Sequence, residues 1–203
     1  LTGIDAVAVG PGLGTSSQVR GFVRRLWSES PSTLIVDADA LNVLAEDFRS
    51  QGISPEGPGT AAALRVLTPH PGEFARLCGV SIAQIEQDRQ SAARDFAQRH
   101  GVLLILKGPG TIVTDGDRLT VNPTGNSGMA TGGSGDVLTG LLCALLARAD
   151  DPFEATRLAV WLHGRAGDLA AAEHSEASLI ASDLPLFFGR AWQELSTESE
   201  RTG

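Results

Sequence analysis

The feature that most constrains the fold is a unit that occurs three times: a short apolar run, a break rich in glycine, proline or aspartate, and a helical pattern. The apolar runs cover residues 6–9, 33–36 and 64–67, and each has the length and composition of a buried strand. Strands that alternate with helices indicate an α/β fold. We therefore expect a three-layer sandwich, with a mainly parallel central sheet and helices on both faces.

The second half of the chain continues this pattern and adds one hairpin. We predict a buried parallel-type strand over 102–108, a hairpin turn at Asp115-Gly116 and a helix from Phe153 to about residue 172. The remaining expectations are a helix over 82–100 that starts with a Ser81–Gln84 capping box and ends at Gly101, a loop over 53–60, a last helix over 182–195 and a disordered tail over 196–203. No linker divides the chain, so residues 1–195 are predicted to form a single domain.

Composition excludes several classes of partner. The chain has 203 residues and a net charge of −8, which argues against a nucleic-acid or anionic-membrane surface. Cys78 and Cys143 fall in apolar helical patterns and are interpreted as core thiols of a cytoplasmic protein. The apolar runs are too short or too interrupted to span a bilayer.

The stretch from Gly125 to Gly135 holds five glycines in eleven residues and leads directly into an apolar helix. Such backbone can turn successive N–H groups inward around an anion, and the helix start adds free amides and a positive dipole end. We predict an anion hole at Gly132, Gly133, Ser134 and Gly135. Asp136, beside it, is placed to take a proton from an attacking hydroxyl. We expect Ser134 or Asp136 to cap the helix as well, and the alternative is that capping is its only role.

Other special residues follow the predicted strands, where ligands of parallel sheets bind. Gly12 and Gly14 in "GPGLG" either allow the backbone to approach a ligand closely or only form a tight turn. Lys107 either contacts nucleotide phosphates or only ends its strand. His70 is held between two prolines and is a candidate ligand contact. The acidic loop offers Asp37, Asp39 and Asn42, which could position Mg²⁺ or equally cap the next helix. His100, His163 and His174 are interpreted as ordinary helical side chains.

Neither common phosphate fingerprint is present. The chain has no G-x-x-x-x-G-K-[ST] sequence, and Thr15 breaks the G-x-G-x-x-G pattern that begins at Gly10.

Taken together, the motifs resemble those of the ADP- or ATP-dependent NAD(P)H-hydrate dehydratases, in the ribokinase-like superfamily. The motifs, in order, are "GPGLG", "VDADALN", "LTPHPGEFARL", "LKGPGTIV", "NSGMATGGSGDVLTG" and "HGRAGDLAA". The combination of "TPHPGE" with "MATGGSGDVLTG" is specific to this family, whereas "GSGD" alone marks only the superfamily.

The resemblance implies a repair enzyme. Its substrate is the S-form of hydrated NADH or NADPH, whose ring hydroxyl is phosphorylated by ADP or ATP with Mg²⁺ and then lost as phosphate. By resemblance, Asp136 is the general base and a substrate contact, Gly12, Gly14 and His70 contact the substrate, and Gly135 contacts the nucleotide. The AMP-moiety segment is Lys107, Gly108, Pro109, Gly110 and Thr111. An NAD(P)H-hydrate epimerase is the implied functional partner, and a homo-tetramer the implied assembly.

One departure from the family pattern stands at the beginning of the chain. Family domains are usually longer at the N-terminus, so the resemblance implies an N-terminally incomplete domain. Two other functions remain open: a ribokinase-like kinase of a small vitamin precursor, and a nucleotide-binding fragment without activity.

Overall fold

Six strands form one sheet in which spatial order follows sequence order, β1-β2-β3-β4-β5-β6. The structure is a computed structural model that describes residues 3–50 and 63–202; the loop predicted at 53–60 lies outside the described residues. The strands are β1 Ala6–Val9, β2 Thr33–Val36, β3 Arg65–Leu67, β4 Leu103–Leu106, β5 Ile112–Thr114 and β6 Leu119–Val121. The first four strands are parallel, and β5 and β6 are antiparallel.

Helices cover both faces of the sheet, as the sequence predicted. They are α1 Ser17–Glu29, α2 Ala38–Arg49, α3 Pro71–Cys78, α4 Ile82–Gln87, α5 Arg89–His100, α6 Ser134–Leu146, α7 Pro152–His174 and α8 Leu184–Thr202. Within β2, Leu34 and Val36 pack in the core with α1–α5, whereas Ile35 packs in the core with α6 and α7. This alternation follows from the two-residue period of a strand and produces three layers. A third cluster joins α7 to α8.

Several local predictions are confirmed. The Ser81–Gln84 capping box starts α4, and Asp151 caps α7 with Pro152 at the first helical position. The Asp115 carboxylate accepts the Arg118 backbone N–H at 2.7 Å and so closes the β5–β6 hairpin. Cys78 and Cys143 are free and half-buried, and burial raises the pKa of the Cys78 thiol to about 12. In the described part of the chain, no helix is long and apolar enough to cross a membrane.

Two helix boundaries differ from prediction. The helix predicted over 82–100 is two helices, because the Asp88 carboxylate accepts the Ser91 N–H and caps a new helix. The last helix continues to Thr202, past the predicted end at 195 and through residues predicted to be a disordered tail. There the Ser196 and Thr197 hydroxyls donate to backbone carbonyls of the preceding turn, at Trp192 and Glu194.

Candidate active site

The loops after β1 and β2 are joined at the carboxyl end of the sheet. Gly10 has φ +136°, and a Cβ at this position would lie 1.7 Å from the Asp37 carbonyl oxygen, so only glycine permits this approach. The Gly14 N–H donates to Asp39 Oδ2 at 2.8 Å. Gly12, between Gly10 and Gly14 in the sequence, has φ +68°. The "GPGLG" backbone is therefore fixed against the acidic loop.

Asp37 and Lys107 form an ion pair between β2 and β4. Lys107 Nζ donates to Asp37 Oδ1 at 2.9 Å, and the Thr139 hydroxyl of α6 donates to Oδ2 at 2.9 Å. The Asp37 side chain is 2% exposed and that of Lys107 is 20% exposed. Asp37 occupies the N-cap position of α2 but makes no capping bond, because its carboxylate points to Lys107 and Thr139.

The Lys107 ammonium lies directly against the start of α6. A Cβ added to Gly135 would be 3.2 Å from Lys107 Nζ and 3.7 Å from Asp37 Oδ2. The three sequence motifs that contain Asp37, Lys107 and Gly135 thus meet at one point. A positive charge and a helix N-terminus at that point favour an anion.

At the N-terminus of α6 the Gly135 N–H has no hydrogen-bond partner within the described residues, whereas the Ser134 N–H donates to the Thr131 carbonyl at 3.3 Å. Gly133 precedes the helix with φ +89°, and no described side chain caps the helix. The expected cap from Ser134 or Asp136 is therefore wrong. Gly132, Gly133 and Asp136 are exposed, whereas Ser134 is buried. Asp136 lies in the first turn and makes no side-chain hydrogen bond within the described residues.

His70 is held by hydrogen bonds as well as by its flanking prolines. Its Nδ1 accepts the N–H groups of Gly72, at 3.0 Å, and Glu73, at 3.4 Å. The Glu73 carboxylate accepts the His70 N–H in return, which completes a capping box for α3. Because Nδ1 is an acceptor, the proton of the neutral ring is on Nε2. Nε2 lies 3.5 Å from Glu73 Oε1, and the side chain is 50% exposed, so the ring can still be reached by a ligand.

The segment from Lys107 to Thr111 is a turn supported by a residue that the sequence did not reveal. Gly108 and Gly110 have φ of +128° and +63°. Arg89 donates to the Pro109 carbonyl at 2.7 Å and to the Lys107 carbonyl at 3.1 Å. Arg89 starts α5, and no local pattern marks it as a neighbour of a loop about twenty residues away.

The turn connects to the His70 loop on one side and to an open cleft on the other. The Lys107 N–H donates to the Pro69 carbonyl at 2.9 Å. A cleft of about 350 Å³ lies beside Pro109 and Gly110, between Gln90 and Ile112. The segment is thus anchored on one side and accessible on the other.

One face of α7 supports the glycine-rich loop and explains the "HGRAGD" motif. Asp168 accepts the Gly125 N–H and the Asn126 amide, each at 3.0 Å. A Cβ at Gly164 would lie 2.3 Å from Thr124 Oγ1, and one at Gly167 would lie 2.3 Å from Met129 Sδ. Glycine is therefore required where this helix and the loop approach closely.

His163 completes this face of α7, although the sequence suggested an ordinary helical side chain. Its Nε2 lies 2.9 Å from the Ser134 carbonyl and 3.5 Å from the Ser134 hydroxyl. Burial, chiefly, and the charge of Lys107 lower the pKa of His163 to about 4. The ring is therefore neutral at neutral pH.

The predicted site residues are not all in mutual contact. Asp37, Lys107 and Gly135 converge, and Gly14 joins Asp39. Asn42 lies half-buried one turn after Asp39 and makes no side-chain hydrogen bond within the described residues.

Comparisons with known proteins agree on one family. A family model described as NAD(P)H-hydrate dehydratase matches residues 1–185. The chain is 44% identical over 180 residues to a bifunctional NAD(P)H-hydrate repair enzyme of Vibrio cholerae, covering 89% of this chain and 34% of that protein. It is 40% identical over 168 residues to an ADP-dependent (S)-NAD(P)H-hydrate dehydratase of Neisseria meningitidis, covering 82% and 55%.

A solved structure supports the same assignment of fold. An ADP/ATP-dependent NAD(P)H-hydrate dehydratase of Bacillus subtilis, co-crystallised with ATP/Mg²⁺, superposes with a TM-score of 0.79 and 33% identity, covering 93% of this chain and 64% of that one. The fold is therefore ribokinase-like, as predicted. The chain spans about a third of the length of the bifunctional relatives.

Proposed function

The chain belongs to the NAD(P)H-hydrate dehydratase family, and we propose that it dehydrates the S-form of hydrated NADH or NADPH at the expense of ADP or ATP. The reaction is a carbon–oxygen lyase reaction that proceeds by phosphorylation and elimination. The observation that carries the proposal is the position of the Lys107 ammonium against Gly135, at the uncapped start of α6.

We propose that the phosphoryl group of the nucleotide binds at this point. The backbone amides of Gly132, Gly133 and Gly135 and the Lys107 ammonium supply hydrogen-bond donors and positive charge, which stabilise the charge on a phosphoryl group in transfer. The Ser134 N–H is already engaged by the Thr131 carbonyl. Asp37, which also accepts the Thr139 hydroxyl, holds the lysine in place. The donors are fixed before the substrate arrives, so little reorganisation is required.

Asp136 acts as the general base. It lies one residue after Gly135 and its exposed carboxylate faces solvent, where a substrate can reach it. It accepts the proton of the ring hydroxyl as that oxygen forms a bond to phosphorus, and the bond to AMP or ADP breaks. The C–O bond of the phosphorylated ring then breaks, phosphate leaves, a ring proton is lost, and the double bond is restored.

The substrate and the nucleotide approach this centre from different loops. His70 Nε2, Gly12 and Gly14 contact the hydrated nicotinamide portion. The turn from Lys107 to Thr111 contacts the AMP moiety, next to the cleft beside Gly110. Both assignments rest on the family motifs and on the backbone bond between Lys107 and Pro69 that joins the two loops.

Mg²⁺ is proposed to bind mainly through the nucleotide phosphates and water, as it does when a protein supplies few ligands. The acidic loop fits this role in part. The Asp37 carboxylate is buried and engaged by Lys107 and Thr139, whereas the half-buried Asp39 uses only Oδ2, for Gly14. Asp39 and Asn42 are therefore the residues placed to orient the ion's waters, and the ion would neutralise phosphate charge.

The wider assignment follows the relatives. We propose a single ribokinase-like domain that includes the whole of α8, a cytoplasmic location, pairing with an NAD(P)H-hydrate epimerase, and a homo-tetramer. The bifunctional relatives support a functional link between dehydration and a second repair activity.

The test is the absorbance at 340 nm of hydrated NADH incubated with the chain, Mg²⁺ and either ADP or ATP. A rise that depends on one nucleotide is expected and identifies the phosphoryl donor. A flat trace with accumulation of a stable phosphorylated product would instead indicate a small-molecule kinase. A flat trace without product, together with nucleotide binding by calorimetry, would indicate a binding fragment, and recovery with an N-terminally longer chain would restore the dehydratase assignment.

A further inference from the structure

The hydrogen bond from His163 to Ser134 connects α7 to the proposed anion hole. His163 Nε2 lies 2.9 Å from the Ser134 carbonyl oxygen, and the residue is 9% exposed. A carbonyl oxygen only accepts hydrogen bonds, so the ring must carry its proton on Nε2 and donate it. This bond joins elements 29 residues apart in the sequence.

The Ser134 carbonyl and the Gly135 N–H belong to the same peptide group. The peptide group is planar, and the described chain has no cis peptide bonds, so this carbonyl and this N–H point in opposite directions. A donor that fixes the carbonyl on one side therefore fixes the direction of the N–H on the other. It also polarises the group, because hydrogen bonds in a chain strengthen one another.

The surroundings of His163 keep it a neutral donor. Burial is the main effect that disfavours the imidazolium, and the positive charge of Lys107, whose ammonium is close to Gly135, adds to it. The Ser134 hydroxyl also lies 3.5 Å from Nε2. The ring therefore donates the same hydrogen bond throughout the neutral pH range.

We propose that His163 is a positioning residue, which orients and polarises the Gly135 amide towards the phosphoryl group without touching it. This role rests on the proposed phosphoryl transfer. It explains why a buried histidine stands one helical turn before Gly167, whose missing side chain permits close approach to Met129 of the glycine-rich loop.

The kinetic test compares two replacements of the same residue. His163→Leu fills the space without a donor and is expected to lower kcat about tenfold, with KM for the nucleotide within about threefold. His163→Gln places an amide nitrogen close to the original Nε2 and is expected to restore kcat to within about threefold of wild type. His100→Leu, at a buried histidine packed against Phe48 and Phe96, is the matched control and is expected to leave kcat unchanged. Equal kcat values for the two His163 variants would overturn the role.

A second measurement does not depend on activity. In the ¹⁵N-glycine-labelled chain, loss of the donor in His163→Leu is expected to move the Gly135 amide nitrogen upfield, and His163→Gln is expected to move it back. An unchanged Gly135 resonance in both variants would refute the positioning role even if dehydration occurs. Conversely, a flat 340 nm trace for the wild type counts against the proposed function, while the resonance still reports on His163.

Discussion

Two basic side chains withdrawn from solvent stand at opposite ends of the central sheet, and they are held in different ways. Arg65 begins β3 at the amino end and is 2% exposed. Lys107 follows β4 at the carboxyl end, and its side chain is 20% exposed. The first is surrounded by neutral acceptors, whereas the second has one carboxylate partner.

The Arg65 side chain donates hydrogen bonds to backbone carbonyl oxygens. Its guanidinium donates to the carbonyls of Trp27, Ser30, Ser32, Ala63 and Leu64. Burial lowers the pKa of the guanidinium, but arginine remains charged at any pH at which the protein is folded. The side chain thus joins α1, the turn after it and β3.

Lys107 has a partner on one side and the start of α6 on the other. Asp37 holds the ammonium at 2.9 Å, and Gly135 offers no side chain that would cover it. The comparison teaches that a basic side chain surrounded by backbone carbonyls stabilises the fold. A basic side chain with a partner on one side only can still bind a ligand. It also agrees with the rule that ligands bind beyond the carboxyl ends of parallel strands.

The largest effect is expected at the carboxyl end, from Asp136→Asn. Loss of the general base should lower turnover about a thousandfold while ADP binding is kept. Turnover is followed at 340 nm and binding by calorimetry. Asp117→Asn, at an exposed acid in the hairpin turn, is the control and should be fully active. Retained turnover in Asp136→Asn would show that Asp136 is not the general base.

At the amino end, Arg65→Met should destabilise the fold and spare the chemistry. Several buried carbonyls lose their donor, so the free energy of unfolding is expected to fall by roughly 3 kcal/mol. Urea unfolding measures this, with Arg24→Met, which removes a surface ion pair to Asp47, as a control expected to cost less than about 1 kcal/mol. A change in kcat of the Arg65 variant would contradict the conclusion that the amino end of the sheet contributes to stability and not to the chemistry.

Lys107→Met should affect both properties, and a second substitution should separate them. We expect kcat/KM to fall about a hundredfold, because positive charge at the phosphoryl group is lost. The unfolding free energy should fall by about 2 kcal/mol, since Asp37 remains buried without its partner. Adding Asp37→Asn should recover stability but not activity; recovery of both would mean that the ammonium is not needed.

The smallest effect expected is a pH dependence of stability at the carboxyl end. His163 has a folded-state pKa of about 4, below the unfolded value of 6.5, so the unfolded chain takes up a proton first as the pH falls. Stability from this group is therefore complete above pH 6.5 and declines towards pH 4, by about 2 kcal/mol at pH 5. His163→Gln should remove this part of the slope; an unchanged slope would place the titration elsewhere.

Periodicity predicted the layers of the fold because burial is a local property of each segment. The alternation of Leu34, Ile35 and Val36 already requires two covered faces. It does not specify which strands are neighbours, since pairing depends on contacts between distant segments. The break between α4 and α5 was missed because the apolar pattern continues through Asp88, and only its capping bond to Ser91 interrupts the helix.

The site was predictable where the motif itself carries the chemistry. The glycines before Asp136 and the lysine after β4 follow from their residue types and positions. The roles of Arg89 and His163 could not be predicted in this way, because each side chain hydrogen-bonds to the backbone of a segment that is distant in the sequence. Any polar side chain of suitable length could make such a contact, so residue type alone gives no indication of it.

The sequential order of the strands has a consequence for how the molecule is made on the ribosome. Each strand can pair with the one synthesised before it, and the carbonyl cage of Arg65 closes over at most 38 residues. The Asp37 carboxylate must wait for Lys107, 70 residues later, and for Thr139, 102 residues later. Since domains acquire structure from the N-terminal side during synthesis, the Arg65 hydrogen bonds at the amino end of the sheet can form while the carboxyl end still lacks Lys107 and Thr139. A nascent chain arrested before α6 would therefore contain the Arg65 hydrogen bonds but not the start of α6, where we propose that phosphate binds.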